Sequence, residues 1–114
     1  MRTKAALYIC LILISTAAIG ISAQNMGPKE MNLAGGSRGE VPFPHLSHQK
    51  KLGDCNACHA LFPQAKGGIE KLKAAGKLKA KQVMNKHCIK CHKAEKKAGN
   101  ASGPTTCNSC HVRK

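Results

Sequence analysis

Aromatic side chains are nearly missing from this chain, which has no Trp, one Tyr and two Phe in 114 residues. Tyr8 falls in the apolar N-terminal run, so Phe43 and Phe62 are all that remain for the rest of the polypeptide. Much of that rest is Lys, Gly, Ala, Asn and Ser, a composition that cannot bury an adequate core unaided. Acidic residues are scarce as well. There are 5 Asp and Glu against 19 Lys and Arg, a formal charge of +14. The shortage of acids leaves a strongly basic surface, which steers a protein toward acidic partners.

What the chain does have is one pattern written three times. Cys55-Asn56-Ala57-Cys58-His59, Cys88-Ile89-Lys90-Cys91-His92 and Cys107-Asn108-Ser109-Cys110-His111 all read C-x-x-C-H. That is the attachment signature of c-type haem: two thiols form thioethers to the porphyrin, and the adjoining imidazole takes one axial position on the iron. On a helical turn, residues at i, i+3 and i+4 project to one side, so a short element can hold the ring edge and still reach the metal. The attachment residues are therefore Cys55, Cys58, Cys88, Cys91, Cys107 and Cys110, with His59, His92 and His111 as proximal ligands. No cysteine downstream of Cys10 is left over. Three macrocycles would supply the apolar mass that the side chains lack, and the chain without them is expected to be largely unfolded.

The N-terminus reads as an export signal over residues 1–23. Met1-Arg2-Thr3-Lys4 is basic, an uncharged apolar run follows from Ala5 to Ala23, and small residues cluster at its end. The alternative is an uncleaved inner-membrane anchor, since 19 uncharged residues approach the roughly 20 needed to span a bilayer. Cys10 lies inside the run and reads as apolar filler. Without Arg2 and Lys4 the basic count falls from 19 to 17 against 5 acids, a net of +12. Six haem propionates would leave about +6 by formal count with all irons ferrous. Export argues against nucleic acid as the partner of this charge.

Residues 24–40 read as a flexible leader broken by Gly35-Gly36 and Gly39, and the functional domain is placed at 41–114. Pro42 and Pro44 hold the backbone extended up to His45, predicting a short strand and then a turn or helix. Ile69, Leu72, Ala75 and Leu78 recur at three-residue spacing, a helix signal interrupted by Gly76. Lys71, Lys73, Lys77, Lys79 and Lys81 around it read first as a solvated face and second as a docking surface. Another helix is predicted from about Lys81 through the second motif to Lys97, stopped by Gly99-Asn100.

Beyond the three motif histidines the chain has three more, His45, His48 and His87. Their number equals the sixth positions to be filled if every iron is six-coordinate. His45 and His48 lie three apart and can address two different irons. His87 directly precedes Cys88, on the tethered side of its own ring, so it can serve only a neighbour, here the haem at Cys107. Met84, on the same helix face, competes for that iron. With no open position the chemistry is outer-sphere electron transfer, with low potentials from imidazole pairs and thinly covered rings.

The run Val41-Pro42-Phe43-Pro44-His45-Leu46-Ser47-His48-Gln49-Lys50, the following Asp54-Cys55-x-x-Cys58-His59, and Gly103-Pro104-Thr105-Thr106-Cys107-x-x-Cys110-His111 together resemble the three-haem class III cytochromes c, often called cytochrome c-seven. The likeness covers about residues 40 to 112. It implies a small, loop-rich, mainly α fold with a short N-terminal β-hairpin, organised by three covalent c-type haems. It further implies a periplasmic, non-enzymatic electron carrier of anaerobic bacteria, passing electrons between dehydrogenases or hydrogenases and other cytochromes or metal-ion acceptors. Under it, His45 completes the haem at Cys55, His48 that at Cys88 and His87 that at Cys107, with Phe43 packed among the rings. A monomer without a membrane span is expected once the signal is removed. The departure from the family is His87, whose counterpart usually sits several residues ahead of the second motif. The rival readings are a haem protein with one open axial site, acting as a small-molecule reductase or gas sensor, and a set of structural zinc sites. The zinc reading suffers because zinc does not require a His directly after each Cys pair.

Overall fold

The computed structural model describes residues 26–113. The signal expected over 1–23, and any anchor in its place, lies outside the described residues. Among those described, no helix is long and apolar enough to cross a membrane.

Two short strands open the fold. β1 (Met31–Leu33) pairs antiparallel with β2 (Val41–Phe43), with Met31 opposite Phe43, Asn32 opposite Pro42 and Leu33 opposite Val41. In a two-stranded sheet both strands are edges, where a proline such as Pro42 is tolerated. A 3-10 turn at Gly36–Arg38 joins them. The segment expected to be a leader thus carries half of the hairpin, and the folded unit begins well before residue 41. Its reason is backbone pairing, which leaves little trace in side-chain pattern.

Five short helices follow: α1 (His45–Leu52), α2 (Asn56–His59), α3 (Gly68–Ala74), α4 (Ile89–Lys97) and α5 (Cys107–Cys110). α3 ends before Gly76 and α4 before Gly99, at the breakers the sequence offers. The helix predicted from about Lys81 is split: Gln82–Cys88 forms a wide π-helical turn that runs into α4. The amide of Ile89 reaches back to the carbonyl of Met84, five residues earlier. Such turns are rare and frequently occur at functional sites.

Little of this is held by a side-chain core. Among the described residues only Phe62, at 8 % exposure, and Leu78, at 5 %, are buried hydrophobics. Two buried side chains cannot offset the conformational entropy of ordering nearly ninety residues at roughly 1–2 kcal/mol each. In place of a packed interior, a cavity of about 910 Å³ runs between the hairpin, α1, the π-helical turn, α4 and the third motif.

Candidate haem sites

Each C-x-x-C-H run sits on a helical turn. Cys58 and His59 close α2, Cys88 ends the π-helical turn with Cys91 and His92 following on α4, and Cys107 and Cys110 bound α5. The third motif differs in one respect. His111 has left the helix for an extended conformation (φ −98°, ψ 131°), where the neighbouring Val112 bridges to Glu40 beside the hairpin. A capping box starts α5: the side chains of Thr106 and Ser109 each serve the other residue's backbone amide.

All six motif cysteines are unbridged. Burial pushes the thiols of Cys58, Cys88 and Cys110 above their ordinary range. The charge of Cys91 adds to the effect at Cys58, and Cys58 in turn adds to that at Cys88. These mutual influences place motifs far apart in sequence within electrostatic reach of one another.

The histidines are positioned through one repeated device, a ring Nδ1–H donated to a backbone carbonyl. His59 donates to the Phe62 carbonyl at 2.7 Å, His92 to Pro104 at 2.7 Å and His111 to Gly39 at 3.1 Å. His45 donates to Pro28 at 2.8 Å and His48 to Pro44 at 3.0 Å. A proton fixed on Nδ1 leaves the Nε2 lone pair free for a metal, the usual arrangement of a ligating histidine. Pro28 and Gly39 belong to the supposed leader, to which the sequence assigned no chemistry. Their contribution is a main-chain oxygen, and no side-chain signal could have announced it.

Glycine makes two of these arrangements fit. A Cβ on Gly103 would run into the His92 ring, and one on Gly35 into the Gly39 carbonyl and the His111 ring.

The imidazoles then meet in pairs. The ring centres of His45 and His59 lie 6.1 Å apart with the rings at 89°, and those of His48 and His92 lie 6.1 Å apart at 38°. A metal–imidazole bond is about 2 Å and the ring centre lies about 1 Å further out, so two imidazoles on opposite sides of one ion have centres about 6 Å apart. Both pairs fit a six-coordinate iron between them. Phe43 packs beside them, its centre 4.4 Å from that of His48 and 6.1 Å from that of His45. The cavity beside the second and third motifs lies in the range of about 300–1,000 Å³ usual for ligand sites and is lined by Phe43, Val83, Met84, Ile89 and Pro104 among others.

His87 is placed differently. Its ring meets Phe62 edge to face at 4.8 Å, and among the described residues no ring pairing joins it to His111. Nor, among those residues, do three or more His, Cys, Asp or Glu side chains converge as a zinc site needs.

The family model of the class III cytochrome c family matches residues 21–111. The chain belongs to that family. This cytochrome is 38 % identical over 75 residues to cytochrome c7 of Geobacter metallireducens, covering 66 % of this chain and 67 % of that one. It is 27 % identical over 103 residues to the 26 kDa cytochrome c3 of Desulfomicrobium norvegicum, covering 77 % and 91 %. Among solved structures it is similar to PpcC, a cytochrome c7 from Geobacter sulfurreducens, with 28 % identity, a TM-score of 0.53 and coverage of 76 % of this chain and all of that one. The oxidized triheme cytochrome PpcA of the same organism matches with 30 % identity and a TM-score of 0.52. Family and motifs together make the chain a multihaem electron-transfer cytochrome with three covalent c-type haems, in a small, mainly helical fold opened by a hairpin.

Proposed function

We propose that this cytochrome is a periplasmic carrier that takes up and passes on electrons at low potential and acts on no substrate of its own. Its haems supply reversible one-electron storage at iron. The protein's part is to attach the ring edges through the six motif cysteines and to orient the imidazoles by their Nδ1–H···O=C bonds. In this reading His59, His92 and His111 are the proximal ligands, His45 completes the first site and His48 the second. The observation that carries it is the pair of 6.1 Å imidazole spacings, each joining a motif histidine to a histidine of α1. Paired imidazoles lower the potential relative to a methionine partner and close the iron to substrate.

The basic surface supports acidic redox proteins as partners, other cytochromes, a hydrogenase or a dehydrogenase, with metal-ion acceptors reached through exposed ring edges. Glu95 accepts from the Asn100 side chain and Asp54 from the Asn56 amide, local contacts that leave the lysine charge to face outward.

Carbon monoxide titration of the reduced, haem-loaded protein tests the closed sites. The haems at Cys55 and Cys88 are expected to keep their spectra. A response from either one would favour the rival reading, in which an open iron reduces a small molecule or senses a gas.

A further inference from the structure

The third site lacks the imidazole pair that the other two have, and three observations bear on what completes it. Five of the six histidines hold Nδ1 against a backbone carbonyl, whereas among the described residues none accepts in this way from His87, whose ring is set against Phe62. Ligating histidines almost always donate their second nitrogen in this way, so His87 is not prepared as the others are. The cavity shared by the second and third motifs borders Cys107, Cys110 and His111 as well as Cys88, Cys91, His92 and His48, and it is lined by Met84 and not by His87. With His48 already facing His92, Met84 is left for the third site. Finally, the π-helical turn accounts for that difference in facing. Its i→i+5 bonding sets the Ile89 amide against the Met84 carbonyl, and Val83, Met84, Cys88 and Ile89 lie on the cavity side, while Lys86, His87 and Lys90 fall outside it.

We infer that Met84, and not His87, supplies the sixth ligand of the third haem, opposite His111. The inference rests on the three-haem carrier reading and adds an asymmetry to it. A thioether partner raises the potential of a haem relative to an imidazole partner. The third haem is then the electron-attracting member of the set, and an electron entering at either imidazole-paired site comes to rest there.

The test uses the full haem-loaded chain with four readouts: haem content, the weak far-red sulfur-to-iron band of the ferric form, the strongly ring-current-shifted methionine methyl signal of the ferrous form, and the three midpoint potentials. The parent protein is expected to show both methionine signatures, with one potential standing above the other two. His87→Ala should keep both signatures and that spacing. Met84→Ala should lose both signatures and bind carbon monoxide at one haem in three. Met84→His, which restores a ligand and guards against failed maturation, should lose the signatures and shift the highest potential down toward the other two. Three haems without a methionine signature in the parent, or loss of the sixth ligand in His87→Ala, would overturn the inference and leave the carrier reading standing. A haem content below three would instead strike at the carrier reading.

Discussion

The first two haem sites and the third are built from the same five-residue motif yet finished differently. At His59 and His92 the motif histidine faces a second imidazole from α1, and all four rings are pinned by carbonyls no more than 17 residues away in sequence. At the third, His111 leaves its helix and is pinned 72 residues away in sequence, at Gly39, beside a small recess flanked by Arg38 and Arg113. The one other arginine of the chain is Arg2. A guanidinium fork suits a carboxylate better than an ammonium does, so Arg38 and Arg113 would be the residues to pair with a haem propionate at the third site. Identical attachment motifs therefore do not impose identical surroundings; the elements that supply the opposite face differ between the sites.

The largest test of this contrast removes a haem from each side of it. Cys88 and Cys91 belong to a site whose motif histidine is paired with α1, packs against Gly103 and borders the shared cavity. Replacing both with serine takes out the second haem and should abolish cooperative folding, a loss exceeding the roughly 5 kcal/mol at the low end of domain stability. The matched Cys107→Ser/Cys110→Ser variant should keep the hairpin, α1 and two haems. Far-ultraviolet circular dichroism and protease resistance of the two proteins check this, and equal collapse of both would show that the third site is as central as the second.

Matched glycine substitutions sharpen the same comparison with less damage. Gly103→Ala drives a methyl into the His92 ring, and Gly35→Ala drives one into His111 and the Gly39 carbonyl. Each is an overpacking change costing about 1–3 kcal/mol. Thermal unfolding should register the loss in both. Haem-resolved redox titration should find Gly103→Ala moving the second potential and Gly35→Ala the third.

Much of this arrangement was legible in the sequence. The three motifs, the strand before His45, the helix stop at Gly99 and the grouping of His45 and His48 on one short helix follow from spacing and from proline and glycine placement. What stayed hidden was carried by the main chain. Pro28 and Gly39 act through carbonyl oxygens, so residues 26–40 read as a leader although they complete the hairpin and hold two histidines. The π-helical turn was hidden for a related reason: i→i+5 hydrogen bonding over Gln82–Cys88 needs no residue type that an ordinary helix would not also accept, while it changes which side chains face inward. The histidine count matched the vacant positions arithmetically, but arithmetic says nothing about which rings are held by a carbonyl.

The smallest effect expected is at the entrance to α5. That helix is only four residues long, too short to persist on propensity, and its first turn depends on the reciprocal bonds between Thr106 and Ser109. Thr106→Ala removes the cap and should cost about 1 kcal/mol. The cost should fall on one site alone, because the first motif's helix is opened by a different side chain, Asp54, which accepts from the Asn56 amide, and the helix of the second has no side-chain cap. Denaturant titration followed at the haem bands checks it: the third haem should loosen at lower denaturant than the other two, whereas in the parent protein the three should melt together. If all three shift by the same amount in the variant, the third site is bound into the common folding unit as tightly as the imidazole-paired ones, and its difference is confined to the ligand opposite His111.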